Sequence, residues 1–211
     1  EGGSPFRGLL PFDETYAAVF HGRDDAIQRL AAAARAQMAS GLALLLLLGP
    51  SGAGKTSLVQ AGLLPALSRV QAGGAVVLAS TTFDVADQGQ QTLFVALAGA
   101  LLDLHWQDSF VFHNESAATL GARLEQDCDG VAARLHVALS AHGPTLRFAI
   151  FIDRFEALFN AQRITEADRI AFLGVLERLA RCGSCLIVLA CRNDFYPSIA
   201  RYPLLMECKA H

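Results

Sequence analysis

The sequence predicts an α/β domain of three layers, with a mostly parallel sheet between two layers of helices. Three observations carry that prediction. Apolar runs of strand length alternate with stretches of helical periodicity. Two of the runs, Leu42–Leu48 and Cys185–Cys191, hold seven residues each with no polar interruption, as expected of strands covered on both faces. A glycine-rich loop, Gly49–Thr56, stands where the first run gives way to a helical stretch. With 211 residues, 53% of them hydrophobic and 18% charged, the chain can bury one large core, and a second packed domain is not expected.

Taken in order, residues 5–23 form a Pro- and Phe-bearing N-terminal segment. A helix is expected over 25–39, where Ile27, Leu30, Ala31, Ala34 and Met38 recur every three or four residues and Asp25 with Gln28 resembles a capping pair. Leu42–Leu48 reads as a central parallel strand. The helix that starts at Lys55 is expected to run to about Leu64, because Pro65 cannot continue a helix interior without a kink. Ala75–Ser80 reads as a second strand, and 90–104 as a helix with Leu93, Leu97, Ala100 and Leu101. Residues 105–130 carry no clear period and read as a variable insertion, followed by a helix over Val131–Ala141. Phe148–Ile152 is a buried strand ending in Asp153. The helix over 166–181 has Thr165 as N-cap, Asp168 three residues on, and Ile170, Leu173, Leu176 and Leu179 as its apolar face. Gly183 closes it, and Leu186–Ala190 is the last strand.

Gly49-x-x-x-x-Gly54-Lys55-Thr56 is a complete phosphate-binding P-loop pattern, so the fold is expected to be of the nucleoside-triphosphate-binding type. Glycines let the backbone curl until successive N–H groups face phosphate oxygens, and the helix that follows aims its positive end at the same anion. The loop residues Pro50, Ser51, Gly52, Ala53 and Gly54, with Lys55, Thr56 and Ser57, are the candidate nucleotide contacts. Lys55 can reach the outer phosphates and the Thr56 hydroxyl can ligate Mg²⁺. Such a site also needs a carboxylate at a neighbouring strand tip, and Asp153 stands there. Glu156 either polarises the attacking water or is a solvated carboxylate at a helix start. Arg192 either senses the outer phosphate or pairs with Asp194 or Glu156.

Composition narrows the classes. The net charge of −3 offers no basic surface for nucleic acid, and no apolar run approaches the roughly 18 residues of a membrane span. The opening residues lack the basic and apolar regions of a secretion signal, and five cysteines without a regular framework suit a reducing compartment, so a cytoplasmic location is expected. Neither an N-K-x-D guanine motif nor L-S-G-G-Q occurs, against a GTPase and a transporter-type ATPase. Cys182-x-x-Cys185 sits at a helix-to-strand junction rather than at a helix start, and it lacks the further ligands of a zinc site.

Pro5-Phe6-Arg7-Gly8-Leu9-Leu10-Pro11-Phe12 and Phe20-His21-Gly22-Arg23-Asp24 resemble the N-terminal segment and F-x-G-R-E/D motif of bacterial STAND ATPases of the novel type. These are signal-transduction ATPases with numerous domains. Gly49–Leu67 is similar to their Walker A helix. Phe151–Phe159 is similar to their Walker B, with Arg154 and Ala157 in place of Gln and Glu. Arg192-Asn193-Asp194-Phe195-Tyr196 is similar to their sensor segment. The resemblance implies ATP or ADP as ligand, with His21, Gly22 and Arg23 beside it, Thr56 and Asp153 on Mg²⁺, and Arg192 as sensor. It implies a segment 1–24 that packs on the nucleotide site of a core spanning 25–211. Within a larger multidomain protein, the last core strand would follow His211. The expected activity is a slowly hydrolysing nucleotide switch, with adjacent effector and sensor domains as partners and self-association on activation. The alternatives are a non-hydrolysing scaffold module and an AAA+ initiator-like ATPase.

Overall fold

The computed structural model describes residues 22–69, 75–87, 89, 91–106, 109–140, 143 and 145–208. His21 and the segment Pro5–Phe12 lie outside the described residues. Helix α1 (Asp24–Ser40) leads into strand β1 (Leu44–Gly49). The chain then runs helically through α2 (Lys55–Ser57), a π-helical stretch (Leu58–Leu63) and α3 (Leu64–Ser68). Strand β2 (Val76–Asp84), α4 (Leu93–Leu102) and a short ribbon of β3 (His105–Trp106) and β4 (Ser109–Phe110) follow. Next come α5 (Ala117–Gln126), α6 (Cys128–Ser140), β5 (Leu146–Asp153), α7 (Ala157–Asn160) and α8 (Glu166–Arg181). The last are β6 (Cys185–Arg192), α9 (Tyr196–Ile199) and α10 (Pro203–Glu207).

The four long strands form one parallel sheet in the order β1-β6-β5-β2. Alternate strand residues feed two separate cores, as a sheet buried on both faces requires. Leu44, Leu46, Ile150, Ile152, Ile187 and Leu189 pack with α4, α5, α6 and α8. Leu45, Ala149, Phe151, Leu186, Val188 and Ala190 pack with α1 and the helical run after the loop. The expected three layers are therefore present. Among the described residues β1 is an edge strand, not a central one, although both its faces are covered. Apolar content reports coverage by helices and not the number of neighbouring strands. On its outer side the Leu46 N–H donates to the Cys208 carbonyl at 2.8 Å.

Several local expectations need correction. Asp25 and Gln28 do not form a cap: Arg23 is the N-cap residue, no side chain caps the helix, and Asp24 and Asp25 lie within its first turn. Pro65 does not stop the helical run. The π-helical turns ahead of it widen the spacing, with the Leu64 N–H reaching back to the Val59 carbonyl, and the ring is accommodated in the next turn. Strand β2 continues through Ser80-Thr81-Thr82-Phe83 to Asp84, because β-branched threonines suit a pleated strand despite their polarity. The described part of residues 105–130, expected to be a variable insertion, is built into the core. Phe112, Leu120, Leu124 and Cys128 are buried in the main core, and α5 approaches α4 so closely that a Cβ on Gly121 would lie 2.9 Å from the Val95 backbone. Ile170 is 59% exposed. A spacing of three drifts by about 60° per step, so three steps from Leu179 carry it half a turn to the solvent side. The Thr165–Asp168 capping box is formed as expected.

No helix among the described residues is long and apolar enough to cross a membrane.

Candidate functional site

In a parallel sheet all strands point the same way, so their last residues share one edge. Gly49 pairs in register with Arg192, and Asp84 with Asp153. The loop after β1, the segment Arg192–Tyr196 after β6, and the two Asp-tipped strands thus meet at that edge, where ligands of such sheets bind.

The loop after β1 turns on glycine. Gly52 and Gly54 have φ of 74° and 75°, in the left-handed region where a side chain is strained. Gly54 immediately precedes the helical run, and the Leu58 N–H bonds back to its carbonyl at 2.8 Å. Lys55 folds over the loop, its Nζ donating to the carbonyls of Gly49 (3.0 Å) and Pro50 (2.9 Å). A Cβ on Gly49 would press on the Lys55 stem at 3.4 Å. The loop residues Pro50, Ser51 and Gly52 are exposed, whereas Ser57 in the first helical turn is buried. Arg23 reaches the same loop, its Nη2 donating to the Ala53 carbonyl at 3.4 Å. Gly22 is exposed with φ of 84°.

Thr56 and Asp153, far apart in sequence, meet: the Thr56 hydroxyl donates to Asp153 Oδ2 at 2.7 Å. The other carboxylate oxygen accepts the Arg154 N–H at 2.9 Å. A hydroxyl and one carboxylate side by side suit a magnesium ion, which binds through one or two such groups and takes its other ligands from phosphate and water. Among the described residues no group of three or more His, Cys, Asp or Glu is placed to cage a metal by itself.

Glu156 accepts the backbone N–H of Arg192 at 3.2 Å. Buried Cys191 lies against the same carboxylate; desolvation, then the Glu156 charge, pushes its thiol up to about 12. The Arg192 guanidinium is engaged by Asp194 through Nε–Oδ1 (3.0 Å) and Nη2–Oδ2 (2.6 Å). That hydrogen bonding holds the Asp194 carboxyl below its ordinary range. Of the two partners expected for this side chain, Asp194 is the one it takes.

Sequence reasoning missed the partner of Arg154. This residue has φ of 46°, one of two non-glycine residues with positive φ among the described residues. Its guanidinium binds both oxygens of Asp84 (Nε, 2.8 and 2.7 Å) and reaches Asp87 Oδ1 (Nη2, 2.6 Å). These hydrogen bonds raise its already high pKa further. The clamp ties the tip of β2 to the turn that carries Glu156. The available signal was Phe83-Asp84, an apolar strand end followed by Asp, as in Ile152-Asp153.

Residues 5–211 match the family described as Novel STAND NTPase 1. No curated protein matches the chain. Among solved structures, the chain is similar to the ORC2 protein of Aeropyrum pernix, described in ADPNP-ADP complexes, at 15% identity and a TM-score of 0.57, covering 97% of this chain and 49% of that one. It is also similar to C. elegans PCH-2, at 17% identity and a TM-score of 0.46, covering 96% of this chain and 45% of that one. The chain spans about half the length of these two proteins. At such identity the ORC2 likeness bears on fold alone.

Proposed function

Because the chain belongs to the Novel STAND NTPase 1 family, we propose that it binds ATP with Mg²⁺ in the Gly49–Thr56 loop and serves as the slowly hydrolysing nucleotide switch of a larger cytoplasmic signalling protein. The observation that carries the reading is the 2.7 Å contact between Thr56 Oγ1 and Asp153 Oδ2. It unites the head of the loop helix with a strand-tip carboxylate, the two protein groups that a nucleotide-bound magnesium ion requires.

Each residue then has a task. The left-handed glycines keep the loop open toward an anion, and the helix start adds its positive end. The Lys55 ammonium exchanges two neutral carbonyls for phosphate oxygens, which are stronger, charge-assisted acceptors. A bound magnesium ion would neutralise phosphate charge beside Thr56 and Asp153. Glu156, oriented by the Arg192 N–H, accepts a proton from the attacking water. Arg23 and Gly22 border the nucleotide from the N-terminal side. ATP in place would favour one arrangement of neighbouring effector and sensor domains and of self-association, and hydrolysis would release it.

One observation favours a second reading, a binding module without turnover. Both arginines flanking the site are held by carboxylates, Arg154 by Asp84 and Asp87 and Arg192 by Asp194. Calorimetric titration with ATP, ADP and GTP, with and without Mg²⁺, tests the shared premise. Adenine nucleotides are expected to bind in a Mg²⁺-dependent way, and Lys55→Ala to weaken them about 100-fold or more, a lost charge-assisted phosphate contact. A folded protein that binds none of them, or binds equally after Lys55→Ala, refutes it. Phosphate release then separates the switch from the inert module.

A further inference from the structure

The turn that joins β5 to α7 is held by more bonds than the nucleotide reading uses. On the side of β6, the Phe155 N–H donates to the Ala190 carbonyl at 2.9 Å and Glu156 accepts the Arg192 N–H at 3.2 Å. On the side of β2, the Arg154 guanidinium spans Asp84 and Asp87, and α7 packs against the short helical turn Val85–Asp87. That helical turn has its own brace, since the Ala86 N–H donates to Asp84 Oδ1 at 2.9 Å. The turn after β5 is thus moored to both strands that flank its own.

Its backbone needs such a hold. Arg154 has φ of 46°, a region that a long L side chain avoids. Conformations of this kind persist only where the surroundings over-determine them. The φ angle turns about the bond from N to Cα, and both ends of that bond are tied. The Arg154 N–H is held by Asp153 Oδ1 at 2.9 Å, and the side chain on Cα by Asp84 at 2.8 and 2.7 Å. If φ relaxed to the ordinary region near about −60°, the chain beyond Arg154 would swing by roughly 100°. Glu156, two residues on, would then leave the Arg192 N–H.

We propose that Arg154 is a positioning residue for hydrolysis: its clamp on Asp84 and Asp87 holds the left-handed turn that keeps Glu156 aimed at the attacking water. The assignment rests on the reading of Glu156 as the group that takes the water proton. Arg154 acts through Glu156 and not on the phosphates. Its guanidinium lies over the tip of β2, at the opposite end of the sheet from β1 and its loop. The carboxylates of β2 therefore set the geometry of a site that they do not line.

The test reads the turn twice in the whole chain, first without nucleotide. Hydrogen exchange of the Arg192 amide, followed by NMR, reports whether Glu156 holds that N–H, whatever the chain does with ATP. Amides inside β5 and β6 in the same spectra show that each variant is folded. Arg154→Ala is expected to speed Arg192 exchange about five- to tenfold, the weight of a left-handed residue that has lost its hold. Asp84→Asn with Asp87→Asn is expected to speed it about threefold, because neutral partners hold the guanidinium more weakly. Arg154→Gly takes the left-handed region without help and is expected to stay within about twofold of the parent chain. With ATP and Mg²⁺, kcat for phosphate release is expected to fall in the same order at unchanged KM. Arg192 exchange that neither Arg154→Ala nor the double Asn variant alters would overturn the positioning role. So would an Arg154→Gly chain as impaired as Arg154→Ala, since the guanidinium itself would then be what matters. The expected exchange series in a chain that binds ATP but releases no phosphate would uphold the clamp and refute hydrolysis.

Discussion

At the tip of β1 the working parts are a curled backbone and one lysine, whereas at the tips of β2 and β5 they are charged side chains that hold one another. The loop owes its shape to Gly52 and Gly54, both left-handed, and to a lysine lying on its carbonyls. The clamp of Arg154 with Asp84 and Asp87 also sits on a left-handed residue, but one with a full side chain, and it is held by ion pairs. Both regions store backbone conformations that ordinary residues avoid. The first does so with the residue type that tolerates them, the second against steric preference. Conformation at the loop is therefore local, while at the clamp it depends on a partner seventy positions away.

The largest effect is expected where the two regions meet. Asp153→Asn keeps the shape of the strand tip but removes the charge that meets the Thr56 hydroxyl and that a bound magnesium ion would use. ATP affinity is expected to lose its Mg²⁺ dependence, and phosphate release to fall on the order of 100-fold. Titrations with and without Mg²⁺ check the first part and a phosphate-release assay the second. If the Mg²⁺ dependence survives, the metal is held elsewhere and the contact of Thr56 with Asp153 is only structural.

Backbone strain gives the next contrast. Gly54→Ala forces a side chain into the left-handed region and is expected to cost about 1–2 kcal/mol. At Arg154 the order reverses. Arg154→Ala loses ion pairs from a side chain that is 47% exposed, so the cost is expected to stay below about 1 kcal/mol. Arg154→Gly loses the same pairs but relieves the strain, and is expected to be about 1 kcal/mol more stable than Arg154→Ala. Urea unfolding midpoints of the three variants check the series. Equal stability of the Gly and Ala variants would mean that the turn carries no strain.

The same contrast explains what could be read from the chain alone. The curl of the loop was legible because it follows from glycine spacing within eight residues, Gly49 to Thr56. Asp153 was legible because it ends an apolar run, and Thr165 with Asp168 because a capping box is local. The clamp was not, since nothing near Arg154 names Asp84, and Ser80-Thr81-Thr82 hid the strand that brings Asp84 there. Residues 105–130 were opaque for a related reason. The contact of α5 with α4 depends on Gly121 fitting the Val95 backbone, a fit between segments that no periodicity announces. The edge position that β1 takes among the described residues was not legible, because burial by helices and burial by strands leave the same apolar signature.

The smallest expected effect concerns Arg192, which belongs to neither region while Asp194 holds it. Its side chain is 43% exposed and that of Asp194 51%, so the pair contributes little to folding, and Asp194→Asn is expected to leave the urea midpoint essentially unchanged. If Arg192 reads the outer phosphate, however, Asp194 competes with that phosphate for the same guanidinium. Removing the competitor is then expected to raise the preference for ATP over ADP by about three- to fivefold, within the range of one exposed ion pair. Arg192→Ala is expected to abolish the preference. Acid acts in the same direction as Asp194→Asn. The Asp194 carboxyl is held below its ordinary value by Arg192, so the pair stands at full strength above the ordinary carboxylate range and is lost as the pH falls through the lowered value. An ATP-to-ADP affinity ratio that Asp194→Asn and Arg192→Ala both leave unchanged would confine Arg192 to a surface pair and leave Lys55 to meet the outer phosphates alone.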